Sequence, residues 1–128
     1  MSLTSLRLKI TALFLAAFLG ACGGGGSSAP PPTGGITATA GDGQVTITWV
    51  ADAGVDYWLM YALTATAIDM KSPPGNHAWI TSGVTSPLVI TGLTNGVTYS
   101  FAMNGRINGG PGGAQTPSVS ATPVAAVP

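Results

Sequence analysis

Glutamate is missing from this sequence of 128 residues, and charged residues of all kinds make up only 6% of it. Four Lys or Arg balance four Asp, so the formal net charge at pH 7 is zero. A chain without a basic surface cannot gain the counterion release that drives nucleic-acid binding. The composition therefore argues against a nucleic-acid partner.

Groups for catalysis and metal binding are equally scarce. The single Cys excludes an internal disulfide, and a single His without any Glu leaves little material for a metal site or an acid–base pair. No serine lies in a Gly-x-Ser-x-Gly motif, so nucleophilic catalysis has no support either. We expect a protein that is not an enzyme, with no catalytic residues, no bound metal and no cofactor.

Three polar residues are candidate metal ligands. His77 ends the turn-rich stretch Ser72–His77, and no second His, Cys or Glu stands near it to complete a metal site. Asp52 and Asp56 flank Ala-Gly-Val in a predicted loop, where Asp commonly forms turns and only rarely binds Ca²⁺. We expect all three to be solvated loop residues.

The first 21 residues have the layout of a secretory signal peptide. Residues 1–9 carry the only dense positive charge, and an apolar run follows from Ile10 to Ala21. This run is shorter than the roughly 20 apolar residues of a transmembrane helix. A permanent transmembrane anchor is therefore the weaker interpretation.

The stretch Leu19-Gly20-Ala21-Cys22, which ends the apolar run, resembles the lipobox of bacterial lipoprotein precursors. The resemblance implies that residues 1–21 are removed, that the thiol of Cys22 receives a diacylglycerol, and that the new amino terminus is acylated, for example with palmitate. Two or three acyl chains anchor a protein stably, since each buried CH₂ contributes ~0.8 kcal/mol. Gly23 in place of Asp is similar to the outer-membrane sorting signal of cells with two membranes. We expect a lipid-anchored protein of the cell envelope; the alternative is a spare Cys in an ordinary signal sequence.

Residues 22–35 are predicted to form a tether that starts at the lipidated Cys22. The stretch GGGGSSAPPPTGG has no charge and no apolar periodicity. Its glycines favour free rotation, whereas Pro30–Pro32 favour an extended polyproline II conformation. Random-coil scaling places the following domain roughly 20 Å from the lipid.

Residues 36–123 consist of short alternating apolar runs separated by turn residues, which is typical of an antiparallel β-sandwich or barrel. The clearest runs are Val45–Trp49, Tyr57–Tyr61, Leu88–Leu93, Tyr99–Met103 and Val119–Thr122. No long segment with a period of 3.6 follows Cys22, and the 19 Gly and 10 Pro of the chain would interrupt one. We expect an all-β domain over 36–123 and a short tail over 124–128.

From Ile36 to Pro123 the sequence resembles a fibronectin type III domain. The motifs that carry the resemblance are GQVTITW at 43–49, Tyr-x-Leu-x-Tyr at 57–61, LTNGVTYSF at 93–101, NGGP at 108–111 and PSVSATP at 117–123. It implies an immunoglobulin-like sandwich of seven antiparallel strands with Trp49 in the core. It also implies a tyrosine corner, in which the Tyr99 hydroxyl bonds back to the loop that contains Gly96.

Two departures from the family pattern concern the predicted strand that begins at Tyr99. Gly105 stands where the family usually has Ala, and one residue is added before Asn108. Glycine inside a strand often marks a bulge. We therefore expect this strand to end in a bulge.

Pleat alternation identifies a candidate binding surface. If the Tyr-x-Leu-x-Tyr run points its three named side chains into the core, Trp58 and Met60 must point outward. The neighbouring strand is expected to present small residues beside them, Ala102 among these, and Trp79 on the next predicted strand extends the surface. Either Trp58 is a lid over Ala102, or Trp58, Met60 and Trp79 together bind a protein or glycan.

These observations favour a membrane-anchored envelope lipoprotein whose fibronectin-like module binds a protein or polysaccharide. The alternative is a structural spacer or an assembly subunit of a larger cell-envelope complex. An accessory role for a secreted hydrolase is less favoured, because the sequence contains no catalytic motif.

Replacing the only thiol tests the anchor. We expect the Cys22→Ser variant to remain an uncut precursor, because no sulfur is present to accept the diacylglycerol. We also expect it to move out of the detergent phase on phase separation. Metabolic palmitate labelling followed by gel analysis is the measurement. Labelling that persists in the variant would contradict the prediction.

Overall fold

The computed structural model describes residues 26–127, and within them the regular secondary structure is entirely β. No helix among these residues is long and apolar enough to span a membrane. The described strands are β1 (Ser27–Ala29), β2 (Thr37–Gly41), β3 (Gln44–Thr48), β4 (Asp56–Ala62), β5 (His77–Ile80), β6 (Leu88–Ile90), β7 (Tyr99–Ile107) and β8 (Val119–Ala121).

The strands form two sheets, and every pairing is antiparallel. In the five-stranded sheet, β4 pairs along one side of β7, while β8 and β1 share its other side; β5 pairs with the far side of β4. The second sheet has the order β2-β3-β6. The predicted all-β antiparallel sandwich is confirmed, and the arrangement of β2 to β8 is consistent with an immunoglobulin-like, fibronectin type III sandwich. The strand β1 is additional to the seven that the resemblance implied.

The main core lies between the two sheets and is built from alternate residues of their strands. Val45 and Ile47 of β3 and Phe101 of β7 have no exposed surface. Trp49, directly after β3, is 8% exposed, and its ring meets the Tyr57 ring edge-on with centroids 6.0 Å apart. The predicted core position of Trp49 is therefore confirmed, and burial of such a ring contributes on the order of 2–3 kcal/mol.

The loop between β6 and β7 is held by a tyrosine corner. The backbone N–H of Thr94 donates to the Tyr99 hydroxyl at 3.0 Å. Gly96 has a φ of +83°, a left-handed conformation that glycine adopts without strain, and its N–H donates to the Pro123 carbonyl at 2.8 Å. These bonds satisfy backbone groups at the crossover between the sheets, as the resemblance implied.

The predicted tether is corrected by β1. Ser27–Ala29 pairs with the end of β7, with Ser27 opposite Ile107 and Ala29 opposite Gly105, and Ala29 is only 3% exposed. The reason is that β8 pairs with β7 only over Tyr99–Phe101, which leaves backbone groups at the other end of β7 in need of partners. The folded domain therefore includes Ser27–Ala29, which the predicted boundary at Ile36 left in the tether.

The predicted bulge at the end of β7 is also corrected. The strand pairs with β4 without interruption from Ser100 to Arg106. The irregularity lies in the segment before β8, because Phe101 opposes Val119 whereas Asn104 opposes Gln115, which leaves one more residue on the β8 side. At Gly105 an added Cβ would lie 2.8 Å from the Pro30 carbonyl oxygen, so crowding explains the glycine.

Shortening the chain tests the role of β1. We expect a chain that starts at Ile36 to unfold with a free energy about 2–4 kcal/mol lower than a chain that starts at Gly26, because the hydrogen bonds of β1 and the buried Ala29 are lost. Urea unfolding followed by tryptophan fluorescence measures the difference. Equal midpoints for the two chains would show that β1 does not contribute to the fold.

Candidate functional site

The candidate surface lies on the outer face of the five-stranded sheet. In β4 the inward residues Tyr57 and Leu59 belong to the main core, so alternation turns Trp58 and Met60 to the other face. The register with β7 sets Trp58 opposite Asn104 and Met60 opposite Ala102. The outward direction predicted for Trp58 and Met60 is thus correct.

The prediction that Met60 is an exposed part of a binding surface is wrong. Met60 has no exposed surface and belongs to a second cluster with Ala62, Ala102, Ile68 and Met70. Ile68 and Met70 come from residues 63–76, which connect β4 to β5 and pass over the sheet. Ala102 is covered by this connection, so Trp58 is not needed as its lid.

Polar side chains hold this connection in place. The Ile68 N–H donates to Ser118 Oγ at 2.9 Å, and the Met70 N–H donates to Gln115 Oε1 at 2.7 Å. Gln115 also donates from Nε2 to the Ile68 carbonyl at 2.9 Å. These bonds link the connection to the segment before β8, so the cover over Met60 is a fixed part of the domain.

Residues 63–76 do not cover the whole outer face. In the part that they leave uncovered, four side chains contact one another in sequence across the sheet, and we call them the aromatic row: Arg106, Trp58, Trp79 and His77. The guanidinium carbon of Arg106 lies 3.4 Å from the centroid of the Trp58 ring. The Trp58 ring meets the Trp79 ring edge-on at 6.2 Å, and His77 meets Trp79 edge-on at 6.3 Å. Trp58 is half-buried, whereas Trp79 is 37% exposed. Trp79 therefore lies beside Trp58, where the sequence predicts that it extends the outward surface.

Arg106 is a buried cation whose hydrogen-bond partners are neutral. Its side chain is 8% exposed, and it donates to Asn104 Oδ1 at 3.0 Å and to the Gly110 carbonyl at 3.3 Å. Burial lowers the pKa of Arg106 from its ordinary value. The guanidinium stays protonated at any physiological pH. The stacked Trp58 ring supplies part of the electrostatic stabilisation that water would otherwise give.

An open cleft of about 760 Å³ adjoins the aromatic row. It lies beside the first residues of β4, which β5 does not reach, and the loop 81–86 forms its other wall. The aromatic and charged residues that line it are Trp49, Asp56, Tyr57, Trp58 and Arg106. Two buried atoms among these residues, Trp49 Nε1 and Arg106 Nε, have no hydrogen-bond partner. Both are N–H donors that surrounding protein atoms enclose.

The remaining sequence candidates have local roles, but Asp56 and His77 are the first residues of β4 and β5 and do not lie in loops as predicted. Asp52 is exposed, and its N–H donates to the Tyr57 hydroxyl at 2.9 Å. His77 contacts the Pro74 carbonyl through Nδ1. Asp56 lies on the rim of the cleft, directly opposite Arg106 in the register. Within residues 26–127 no three His, Cys, Asp or Glu side chains are grouped as a metal site would need, and Cys22 lies outside the described residues.

Arg106 is the functional candidate that the sequence interpretation missed. A signal for it exists, because Arg106 is an even number of residues from Ala102, which the sequence predicts to face outward beside Trp58. It is also one of only two basic residues after Cys22, the other being Lys71. Alternation along β7 places Arg106 on the outer face of the sheet. Only the register between β7 and β4 brings its side chain onto the Trp58 ring.

Comparison of the sequence with models of protein families and with curated proteins finds no match. The aromatic row and the adjoining cleft are therefore the features that support a functional assignment. Together they offer exposed aromatic surface supported by a buried cation at one end of the sandwich.

The two tryptophans of the row are expected to differ in what they do for stability. Trp58→Ala should lower the free energy of unfolding by about 2–3 kcal/mol, because it removes a half-buried ring and uncovers the buried Arg106. Trp79→Ala should cost about 1 kcal/mol or less, since its ring is largely at the surface. Urea unfolding monitored by far-UV circular dichroism compares them. Equal losses for the two variants would contradict the assigned stacking.

Proposed function

We propose that the chain is a lipid-tethered binding module of the cell envelope, and that it captures a protein or glycan ligand through Trp58 and Trp79. The observation that supports this proposal is the edge-on pair of tryptophans, which belongs to neither core cluster. Trp79 stands on β5, the outermost strand of its sheet, with 37% of its surface exposed. An exposed tryptophan beside a second one is typical of binding hot spots.

The contacts around the two tryptophans favour a role in ligand recognition. The Trp58 ring packs against Arg106 on one side and against Trp79 on the other, and these contacts hold the ring in one orientation. A pre-ordered aromatic surface loses little conformational entropy when a ligand binds. The flat faces of such rings suit both pyranose rings and apolar side chains.

The proposed anchor determines where binding would take place. Only residues 23–26 separate Cys22 from β1, so a lipid at Cys22 would lie within about 18 Å of Ser27 even with the chain fully extended. Ser27 lies beside Ile107, at the same end of the sheet as Arg106 and the cleft. A lipidated chain would therefore hold the cleft close to the membrane surface, and its ligand would be a component of the envelope.

Loss of one exposed ring tests the proposal. We expect Trp79→Ala to weaken capture of the ligand by a hot-spot amount, about 2 kcal/mol or roughly 30-fold in affinity. The measurement is capture from envelope extract and binding to a panel of cell-wall and secreted polysaccharides by the detergent-solubilised full chain.

Val89→Ala is the matched control, because Val89 is 48% exposed on the opposite sheet. It should bind as wild type does. Equal capture by wild type and Trp79→Ala would remove the proposal and leave a spacer or assembly role as the better account.

A further inference from the structure

We infer that β1 holds the domain upright on its lipid anchor, with its strands pointing away from the membrane and the loops 49–55, 81–87 and 108–113 against a layer of zwitterionic lipid headgroups. This inference rests on the lipid anchor of the proposed function and names the surface that the anchored domain presents to the membrane. It is carried by a juxtaposition in the structure: the strand that follows the anchor is held at the end of the sandwich that these loops form.

The packing around β1 is too close for this segment to act as a loose tether. A Cβ added to Gly26 would overlap the Ile107 carbonyl oxygen. A Cβ added to Gly113 would overlap the carbonyl oxygen of Ala29, which is only 3% exposed. Backbone that approaches a strand this closely needs glycine and leaves the strand little freedom to move. The chain is therefore held as far as Gly26, the first residue that the structure describes.

The short path from Gly26 to Cys22 determines which end of the sandwich carries the anchor. Only residues 23–25 lie between them, so a lipidated Cys22 is within about 14 Å of Gly26 even in a fully extended chain. The nine residues of β7 extend over roughly 27 Å from Ile107, which lies beside Ser27, to Tyr99 at the other end. The lipid therefore stays at the Ile107 end of the sandwich while β1 is docked.

The direction in which the chain leaves the domain favours the upright orientation. β1 is antiparallel to β7, so the residues before Ser27 continue past the end of β7. Gly26 accordingly lies close to backbone atoms of Asn108 and Gly110, in the turn after β7. A chain that leaves along the strands holds them away from the membrane and turns the loops at this end toward it.

The loops at this end match zwitterionic headgroups better than anionic ones. The loops 49–55 and 81–86 both line the cleft, so they lie together beside the start of β4. Val50 is 69% exposed, and an exposed apolar side chain gains from burial at the headgroup boundary. Asp52 is the only charged residue of the three loops, and the exposed Asp56 follows the first of them. An anionic lipid would find no basic side chain in these loops and would be repelled by two carboxylates.

Fluorescent labels at the two ends of the sandwich test the orientation. Val50→Cys and Val124→Cys each place a thiol at an exposed valine, and Val124 is at the opposite end, where its N–H donates to the Gly41 carbonyl at 3.1 Å. Each full chain, with Cys22 lipidated, is labelled at the new thiol and inserted into phosphatidylcholine vesicles that contain a lipid with a nitroxide on its headgroup. We expect the nitroxide to quench the label at position 50 and to leave the label at position 124 nearly unquenched, because quenching requires close approach.

Displacing β1 should remove the difference between the two labels. We expect Gly113→Ala to displace the strand, so that both labels are quenched to the same, lower extent. Gly75→Ala is the matched control, because a Cβ added there has no atom within 4 Å, and it should keep the difference of the unsubstituted chain. If Gly113→Ala fails to fold, Gly26→Ala, which alters the approach of β1 itself to Ile107, takes its place.

The charge of the headgroups is tested with the same labelled chains. Replacing part of the phosphatidylcholine with phosphatidylglycerol should reduce quenching at position 50, because Asp52 and Asp56 are repelled by an anionic surface. Raising the NaCl concentration to about 0.5 M should restore the quenching, since charges are then screened over a few ångström. Quenching that is unchanged or increased by phosphatidylglycerol would overturn a zwitterionic layer as the partner.

The inference and the proposed function fail in different ways. Equal quenching at positions 50 and 124 in phosphatidylcholine vesicles would overturn the upright orientation. A chain that still incorporates palmitate and shows Trp79-dependent capture would then remain a lipid-tethered binding module that lies differently on the membrane. If the unsubstituted chain incorporates no palmitate, the anchor itself is wrong, and the lipid tether of the proposed function fails together with this inference.

Discussion

The structure depends on the pairing of β4 with β7. These two long strands keep one register from Asp56 opposite Arg106 to Ala62 opposite Ser100. Because side chains alternate between the faces of a sheet, this register sets the core and the outer face together. Tyr57 then points into the core while its neighbour Trp58 faces outward, within reach of Arg106. A slip of one residue would bury the wrong face and separate the stacked pair.

Two segments whose sequences have no strand-like pattern cover the parts of the sheet that the pairing of β4 with β7 leaves uncovered. The strand β1 covers the edge of β7 that β8 does not reach, and residues 63–76 cover the apolar patch around Met60. The first satisfies backbone groups, and the second removes apolar surface from water. Residues 63–76 thereby limit the exposed aromatic surface to the part of the outer face that carries Trp58 and Trp79.

Arg106 affects the stability of the end of the sheet that carries the cleft. The turn after β7 packs closely on the side chain, since a Cβ added at Gly112 would lie 2.8 Å from Arg106 Nη2. The guanidinium is thus enclosed between backbone and the Trp58 ring, with neutral hydrogen-bond partners and an unpaired Nε. A buried cation in such surroundings is costly unless paired.

Local pattern was enough to predict the all-β class and the inward and outward directions along β4, whereas the core position of Trp49 and the tyrosine corner followed from the resemblance to fibronectin type III domains. Period-two alternation and turn residues are properties of neighbouring residues, so they can be interpreted from the chain alone. Which outward residues stay exposed depends on contacts between distant parts of the chain, because the residues that cover Met60 and the Arg106 side chain that stacks on Trp58 are far from them in sequence. Tertiary structure also decided that Ser27–Ala29 is a strand, since a Gly, Ser and Pro-rich composition suits a linker equally well until a free sheet edge lies beside it.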